Sequence, residues 1–445
     1  MLLKYVVSNF KSIGRNVEFS MLPSDKEVEG KFLTILQTDD EKLSVLRRCA
    51  FFGPNASGKS TFAESLNFAR NYITEPQKSS NKTGVIKFRG EFDNFSDSTL
   101  FQFVFFLDGK IYEYGFSLNS KQVVEEWLMV RKAGEFVELF TRVTDDNGIT
   151  KIDIEDEFAI IGSAERELSD VLIRSMKEKQ RNQLFLYKLK ENGLAKAERV
   201  VNWFENIQVI FPDSKIQGLP IRVKEDVDFR EFLSESLNVL DTGIVEVVAS
   251  KERIDFHEFA EDMNMPIELV EAVENSKSGL ISVNGKYFIF LEDEDTTSLI
   301  KIQFRHSLNN KNVKFNIDDE SDGTQRLLDL LPILFKMEEK SNKIYIVDEI
   351  DRSLHTKLTK YILGEFLQRT ESLNSQLIFT AHDINLMTAD TMNKEEIWFI
   401  DKNKVGETTL RPFSDFETDE SQSTIKDYLN GRFGAVPVIK GEYNA

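Results

Sequence analysis

Gly53-Pro54-Asn55-Ala56-Ser57-Gly58-Lys59-Ser60 satisfies the pattern G-x-x-x-x-G-K-[ST] at every constrained position. Its flanks supply the context such a loop needs. Leu46 to Phe52 reads as a short strand, and Thr61 to Tyr72 carries apolar residues at helical spacing. Strand, loop and helix in that order make a phosphate cradle. Glycines let backbone N–H groups curl round an anion at the helix N-terminus, Lys59 neutralises β- and γ-phosphate oxygens, and Ser60 offers a hydroxyl to Mg²⁺. The candidate nucleotide contacts are Asn55, Gly58, Lys59, Ser60 and Thr61, with ATP and Mg²⁺ as the expected cofactors.

Two strands far downstream end in the groups this cradle requires. Lys343 to Val347 is a mostly apolar strand that runs into Asp348-Glu349, so Asp348 is placed to support Mg²⁺ and Glu349 to polarise an attacking water as general base. Strand-end acids also serve as helix caps; coupling to the loop at Gly53 favours chemistry. Gln376 to Thr380 is a second buried strand, and His382 follows it where an imidazole reaches a γ-phosphate.

Outward from these motifs the chain is α/β at both ends. Leu2 to Val7 and Val17 to Met21 read as strands around Asn9-Phe10-Lys11-Ser12-Ile13-Gly14. Short alternating runs of Phe, Tyr and Val between Val85 and Val143, joined in one place by Asp108-Gly109, predict an antiparallel meander. Helical periodicity takes over from about Phe158 to Ser276, without the heptad seam of a long coiled coil. Strands return at Gly285 to Leu291 and Leu299 to His306. Helices are expected at Thr324 to Glu338 and Lys357 to Arg369. These changes of pattern divide the chain into an N-terminal ATPase lobe at 1–150, a mainly helical insertion or lid at 151–295, and a C-terminal ATPase lobe at 296–445.

The 445 residues include 75 acidic and 56 basic ones, a formal net charge of −19 whose summed field repels nucleic acid and anionic membrane. Any DNA contact must be local. The single cysteine, Cys49, excludes an internal disulfide framework and a cysteine-rich zinc site. No apolar run approaches the roughly 18 residues that span a bilayer. A cytoplasmic protein is expected.

The order of motifs resembles the ABC/SMC/RecF ATPases, and more closely the stand-alone AAA_15 ATP-binding proteins of bacterial anti-phage and abortive-infection loci. It is carried by Asn9 to Ile13, the Gly53 loop, Glu320-Ser321-Asp322-Gly323-Thr324-Gln325-Arg326, Val347 to His355, Thr380-Ala381-His382-Asp383, and the closing Tyr428 to Pro437. The resemblance implies an α/β fold: an ABC-type P-loop NTPase head with an antiparallel β lobe and a helical insertion. It also makes Ser321 and Gly323 the signature that caps the γ-phosphate held by a second head. A serine hydroxyl and free N–H groups at a helix start suit that task. Glu320 and Asp322 depart from the class, which carries leucine and glycine there, and imply slow or conditional turnover. His355 stands where many transporters of the class have the D-loop aspartate; it either couples two sites across a dimer or packs in place. The Q-loop residue is Gln183 by position, or Gln102.

What the resemblance implies for function is an ATP-hydrolysing switch that engages head to head, as a homodimer or higher homo-oligomer, and controls a separate effector, a nuclease or toxin, under a phage trigger protein. The AriA ATPase of PARIS-type systems has a similar arrangement. The alternative is a RecF-like ATPase acting on DNA, which requires a basic stripe; Arg47-Arg48 and Lys177 to Arg181 are short clusters only. A nuclease with a following Toprim domain is not expected, since 63 residues follow His382.

Overall fold

The computed structural model describes every residue except 79–81, 91–96, 146, 160–161, 179–180, 215–217, 275–277, 284–285, 294–295, 310, 338–341, 418–423 and 437–445. Pro437 of the closing motif and Glu338 at the end of an expected helix lie outside the described residues. The chain falls into two compact units: Met1–Phe211 with Glu338–Asp351 and Leu363–Ala445, and Pro212–Met337 with Arg352–Ile362. Compactness divides the chain at Phe211 and returns to the first unit after Met337, with Arg352–Ile362 again in the second.

Up to Phe211 the chain forms β1 (Leu2–Ser8), β2 (Val17–Ser20), β3 (Leu33–Gln37), β4 (Lys42–Leu46), β5 (Arg48–Phe52) and α1 (Lys59–Thr74). It continues with β6 (Thr99–Leu107), β7 (Lys110–Leu118), β8 (Val123–Lys132), β9 (Glu135–Thr144) and β10 (Thr150–Ile154). Then come α2 (Ala164–Glu178), α3 (Phe185–Glu191), α4 (Ala195–Glu205) and β11 (Ile207–Ile210). The expected meander is present as β6 to β10, which with β1 and β2 make an antiparallel sheet ordered β10-β9-β8-β7-β6-β1-β2. Alternation drives it: along β6, Phe101, Phe103 and Phe105 are fully buried while the residues between them are half-buried. Asp108 and Gly109 both take positive φ, 49° and 81°, as a two-residue type I′ hairpin demands.

The second unit begins with α5 (Leu219–Glu225), α6 (Val227–Val239), β12 (Ile244–Ile254), α7 (Phe256–Asp262) and α8 (Ile267–Glu274). It goes on through β13 (Ser278–Val283), β14 (Lys286–Asp293), β15 (Thr296–Leu308), β16 (Lys311–Asn316) and α9 (Asp322–Leu334). The stretch expected to be mainly helical therefore carries strands as well. β12, β14 and β16 all pair antiparallel with β15. The β-branched run Ile244-Val245-Glu246-Val247-Val248 explains β12, where the β-sheet preference of Val and Ile outweighs helical spacing.

After that the chain forms β17 (Ile344–Val347), α10 (Thr356–Arg369), β18 (Gln376–Ala381), β19 (Ile397–Lys402), β20 (Thr408–Pro412) and α11 (Thr424–Leu429). The first unit's second sheet is ordered β11-β17-β18-β5-β19-β20, parallel from β11 to β19. All residues of β17, β18 and β5 are buried, as a sheet covered on both faces requires. α1 joins the sheets: Phe62 lies 4.8 Å from Phe51 of β5 and 5.7 Å from Tyr5 of β1, ring centre to ring centre. Each such buried ring contributes about 1.5–3 kcal/mol of transfer free energy. The closing segment is clasped on β19, where the Ala435 amide donates to Asp401 at 2.9 Å and Phe433 stacks on Phe399 at 5.3 Å.

One buried polar network ties the meander to the helices that follow it. The Glu126 carboxylate accepts from the amides of Phe185 and Leu186 at 2.7 and 2.9 Å and from Tyr114 at 3.0 Å. Arg142, 3.5 Å from Glu126, donates to the carbonyls of Gln183 and Arg181 at 2.6 and 3.1 Å. Burial pushes Glu126 above the usual carboxylate range, opposed by Arg142 and the two amides.

Candidate functional site

The loop from Gly53 to Ser60 is shaped by neighbours that leave no room for side chains. A Cβ on Gly53 would collide with the Ile400 carbonyl, and one on Gly58, at φ 114°, with the Thr408 hydroxyl. Gly58 opens α1 without any side-chain cap, and no acid sits in the first turn. The helix therefore presents bare N–H groups and the positive end of its dipole. Lys59 is 5% exposed, and its ammonium donates to the carbonyls of Gly53 at 2.7 Å and Pro54 at 3.1 Å. Asn55 and Ser60 are exposed and Thr61 is half-buried. Ser57 is buried, its hydroxyl without a hydrogen-bond partner.

Behind the loop lies a hydroxyl chain that the sequence reading missed. Ser12 donates to Thr61 at 3.1 Å and lies 2.9 Å from the Thr408 hydroxyl, which donates to the Ser57 carbonyl at 3.1 Å. The Asn9 to Ile13 motif thus reaches the loop through Ser12. Thr408 comes from β20, whose sequence carries no motif.

β17 and β18 run parallel and side by side, so their C-terminal tips deliver Asp348, Glu349 and His382 to one place. Thr380 organises the cluster: its hydroxyl donates to Asp348 Oδ1 at 2.7 Å and accepts from the Glu349 amide at 2.8 Å. Asp348 is buried. Glu349 takes φ 50°, a left-handed conformation that costs a non-glycine residue about 1–3 kcal/mol and is concentrated at functional sites. Its Oε1 lies 3.7 Å from His382 Nε2. Asp351, also missed, accepts from the His382 and Asp383 amides at 2.8 and 2.6 Å, and its other, buried oxygen has no hydrogen-bond partner.

The two halves of this site act on the same charge. Burial lowers the Lys59 ammonium from the ordinary lysine range, and the carboxylates of Asp348, Glu349 and Asp351 push it back up. Among the described residues no group of three or more His, Cys, Asp or Glu forms a metal cage. Gln183 is buried and its Oε1 accepts from the Gln77 amide at 2.6 Å, so its carbonyl end is committed to the loop after α1. Gln102 sits half-buried within β6.

Ser321, Gly323 and His355 belong to the second unit. Ser321 is exposed and caps α9, its hydroxyl accepting from the Thr324 amide at 3.2 Å. A Cβ on Gly323 would lie 2.7 Å from the Ser353 carbonyl, so glycine allows the first turn of α9 to sit on that segment. Asp322 shares a cavity of about 290 Å³ with Arg326 and Arg352. His355 is exposed, and its Nδ1 accepts from the Lys357 amide at 3.2 Å, which makes it a cap of α10.

The family model described as "AAA domain, putative AbiEii toxin, Type IV TA system" matches residues 49–388, from β5 to just past His382. The chain belongs to this AAA family. That membership bears out an α/β P-loop protein of AAA type, and the sheets described above supply its parallel core and antiparallel lobe. Among solved structures the AAA protein is similar to the SMC head domain from Thermotoga maritima, at 14% identity and TM-score 0.37, over 94% of this chain and 99% of that one. It is also similar to an SmcHead bound to the C-winged helix domain of ScpA, at 14% identity and TM-score 0.42, over 92% and 96%. A third likeness is the Smc head domain with an extended coiled coil bound to the C-terminal domain of ScpA, derived from Pyrococcus furiosus, at 13% identity and TM-score 0.40, over 92% and 95%. No curated protein matches. Among the described residues no helix of this AAA protein is long and apolar enough to cross a membrane.

Proposed function

We propose that this AAA protein is an ATP-driven switch that hydrolyses ATP, closes head to head on a second copy, and controls a separate effector protein in anti-phage defence. The observation that carries it is the meeting of Lys59, Asp348, Glu349 and His382 at one end of parallel strands. Thr380 holds both acids there. The family's description as an AbiEii-type toxin of a toxin–antitoxin system supports the defence setting, and the net charge of −19 favours a protein partner over DNA.

The residues present fit a magnesium nucleotide. Bare amides at α1, Lys59 and the partnerless Ser57 hydroxyl suit phosphate; Ser60 and Asp348 would hold Mg²⁺, which usually takes few protein ligands and completes its shell from phosphate and water. When bound, the ion neutralises charge on the transferring phosphoryl group. Glu349 would take a proton from the water that attacks the γ-phosphorus as its bond to the ADP oxygen breaks, and His382, 3.7 Å from Glu349, would donate to the γ-phosphate. Asp351 holds the His382 backbone in place. Ser321 and Gly323 act on the nucleotide of the partner head, with Asn55, Gly58 and Thr61 lining the head's own site.

Lys59→Ala is expected to weaken nucleotide binding by about 100-fold, whereas Glu349→Gln binds normally and hydrolyses about 100- to 10,000-fold more slowly. Fluorescent-nucleotide titration beside phosphate release measures both. Equal binding defects in the two variants would remove the assignment of Glu349 as base.

A further inference from the structure

The residue before the cap at Ser321 is an acid, and the fold gives its carboxylate a partner. The Glu320 side chain is 6% exposed, with Oε1 2.7 Å from Nε2 of His306. His306 lies near the end of β15, opposite Ile244 on β12 and Val313 on β16. Phe315 sets its ring edge-to-face at 4.8 Å, and a Cβ on Gly243 would come 3.4 Å from Nδ1. The imidazole is therefore locked by the sheet, and the carboxylate by the imidazole. The backbone of Glu320 is fixed as well: its carbonyl accepts from Gln325 at 3.1 Å and its amide donates to Ile317 at 3.3 Å.

A free carboxylate at this place would stand beside a helix start that takes phosphate, and like charges there repel. We infer that His306 is a positioning residue for the signature segment: it draws the Glu320 carboxylate back against β15, keeps that charge off the phosphate face at Ser321, and fixes the turn that aims the serine. The inference rests on reading Ser321 and Gly323 as the surface that takes the partner head's γ-phosphate. It explains how an acid is tolerated where an apolar residue would need no restraint.

The test uses the full chain in a Glu349→Gln background, with the dissociation constant of the MgATP-driven dimer measured by sedimentation. His306→Ala is expected to weaken the dimer roughly tenfold. Adding Glu320→Gln should restore it to within about threefold of the parent, because the charge that needed restraint is gone. Thermal midpoints and nucleotide affinity control for folding and for the P-loop side. Should His306→Ala fold poorly, His306→Gln keeps a donor of similar reach and is expected to keep the parent's dimer constant. Equal weakening in the single and double variants would reduce His306 to a packing role and overturn the inference, as would a dimer indifferent to His306→Ala. A parent that binds MgATP and stays monomeric removes the head-closure reading itself and the inference with it, a failure visible before residue 306 is touched.

Discussion

The half of this protein that carries the Gly53 loop and the half that carries Ser321 hold their side chains in opposite ways. In the first unit, Asp348 is buried, Lys59 nearly so, and both acids at the strand tips hang on Thr380. In the second unit, Ser321 is exposed at a helix cap, its hydroxyl turned to its own helix. The buried half is organised whether or not a second head is present. On the proposed reading, the exposed half gains a phosphate partner when another copy supplies one. A low-dielectric pocket sets charge and geometry in advance, whereas a helix start in water must wait.

Three changes sharpen this contrast. Ser321→Arg places bulk and charge at the exposed half; hydrolysis should fall on the order of 100-fold with single-head ATP affinity unchanged, and normal turnover would break the trans-signature model. Thr380→Val strips the hydroxyl from the buried half. The expected loss is about tenfold in kcat, with KM moving much less, because the acids remain but their aim is lost; steady-state kinetics read the split. His355→Ala removes an exposed cap of α10, and a change in hydrolysis below about twofold is expected, as for most surface substitutions. A larger drop would assign His355 to the dimer rather than to its own helix.

The same contrast explains what could be read from residues alone. Gly53 and Gly58 are forced by close approach of Ile400 and Thr408, and buried strands such as Ile344–Val347 need uninterrupted apolar runs, so local sequence had to carry them. Thr380 stood inside a quoted motif, yet its two hydrogen bonds depend on which strand lies next to β18. Thr408 lay in no motif, and Asp351 stood in the quoted run Val347 to His355 without a role; each acts across hundreds or tens of residues of chain. β11 has four residues, too few to show a period, and only its pairing with β17 defines it. Between 158 and 276 helical spacing was real but incomplete, because β12 follows α6 within a few residues. Glu320 was recognised as a departure from the class; its partner His306 lies on another element and carries no spacing signal.

The most direct test is the mass of Glu349→Gln in solution with and without MgATP, by light scattering. Growth from one chain of 51.3 kDa toward two on adding MgATP is the result expected of heads that close on bound nucleotide. An unchanged mass in a protein shown to bind ATP would contradict the account.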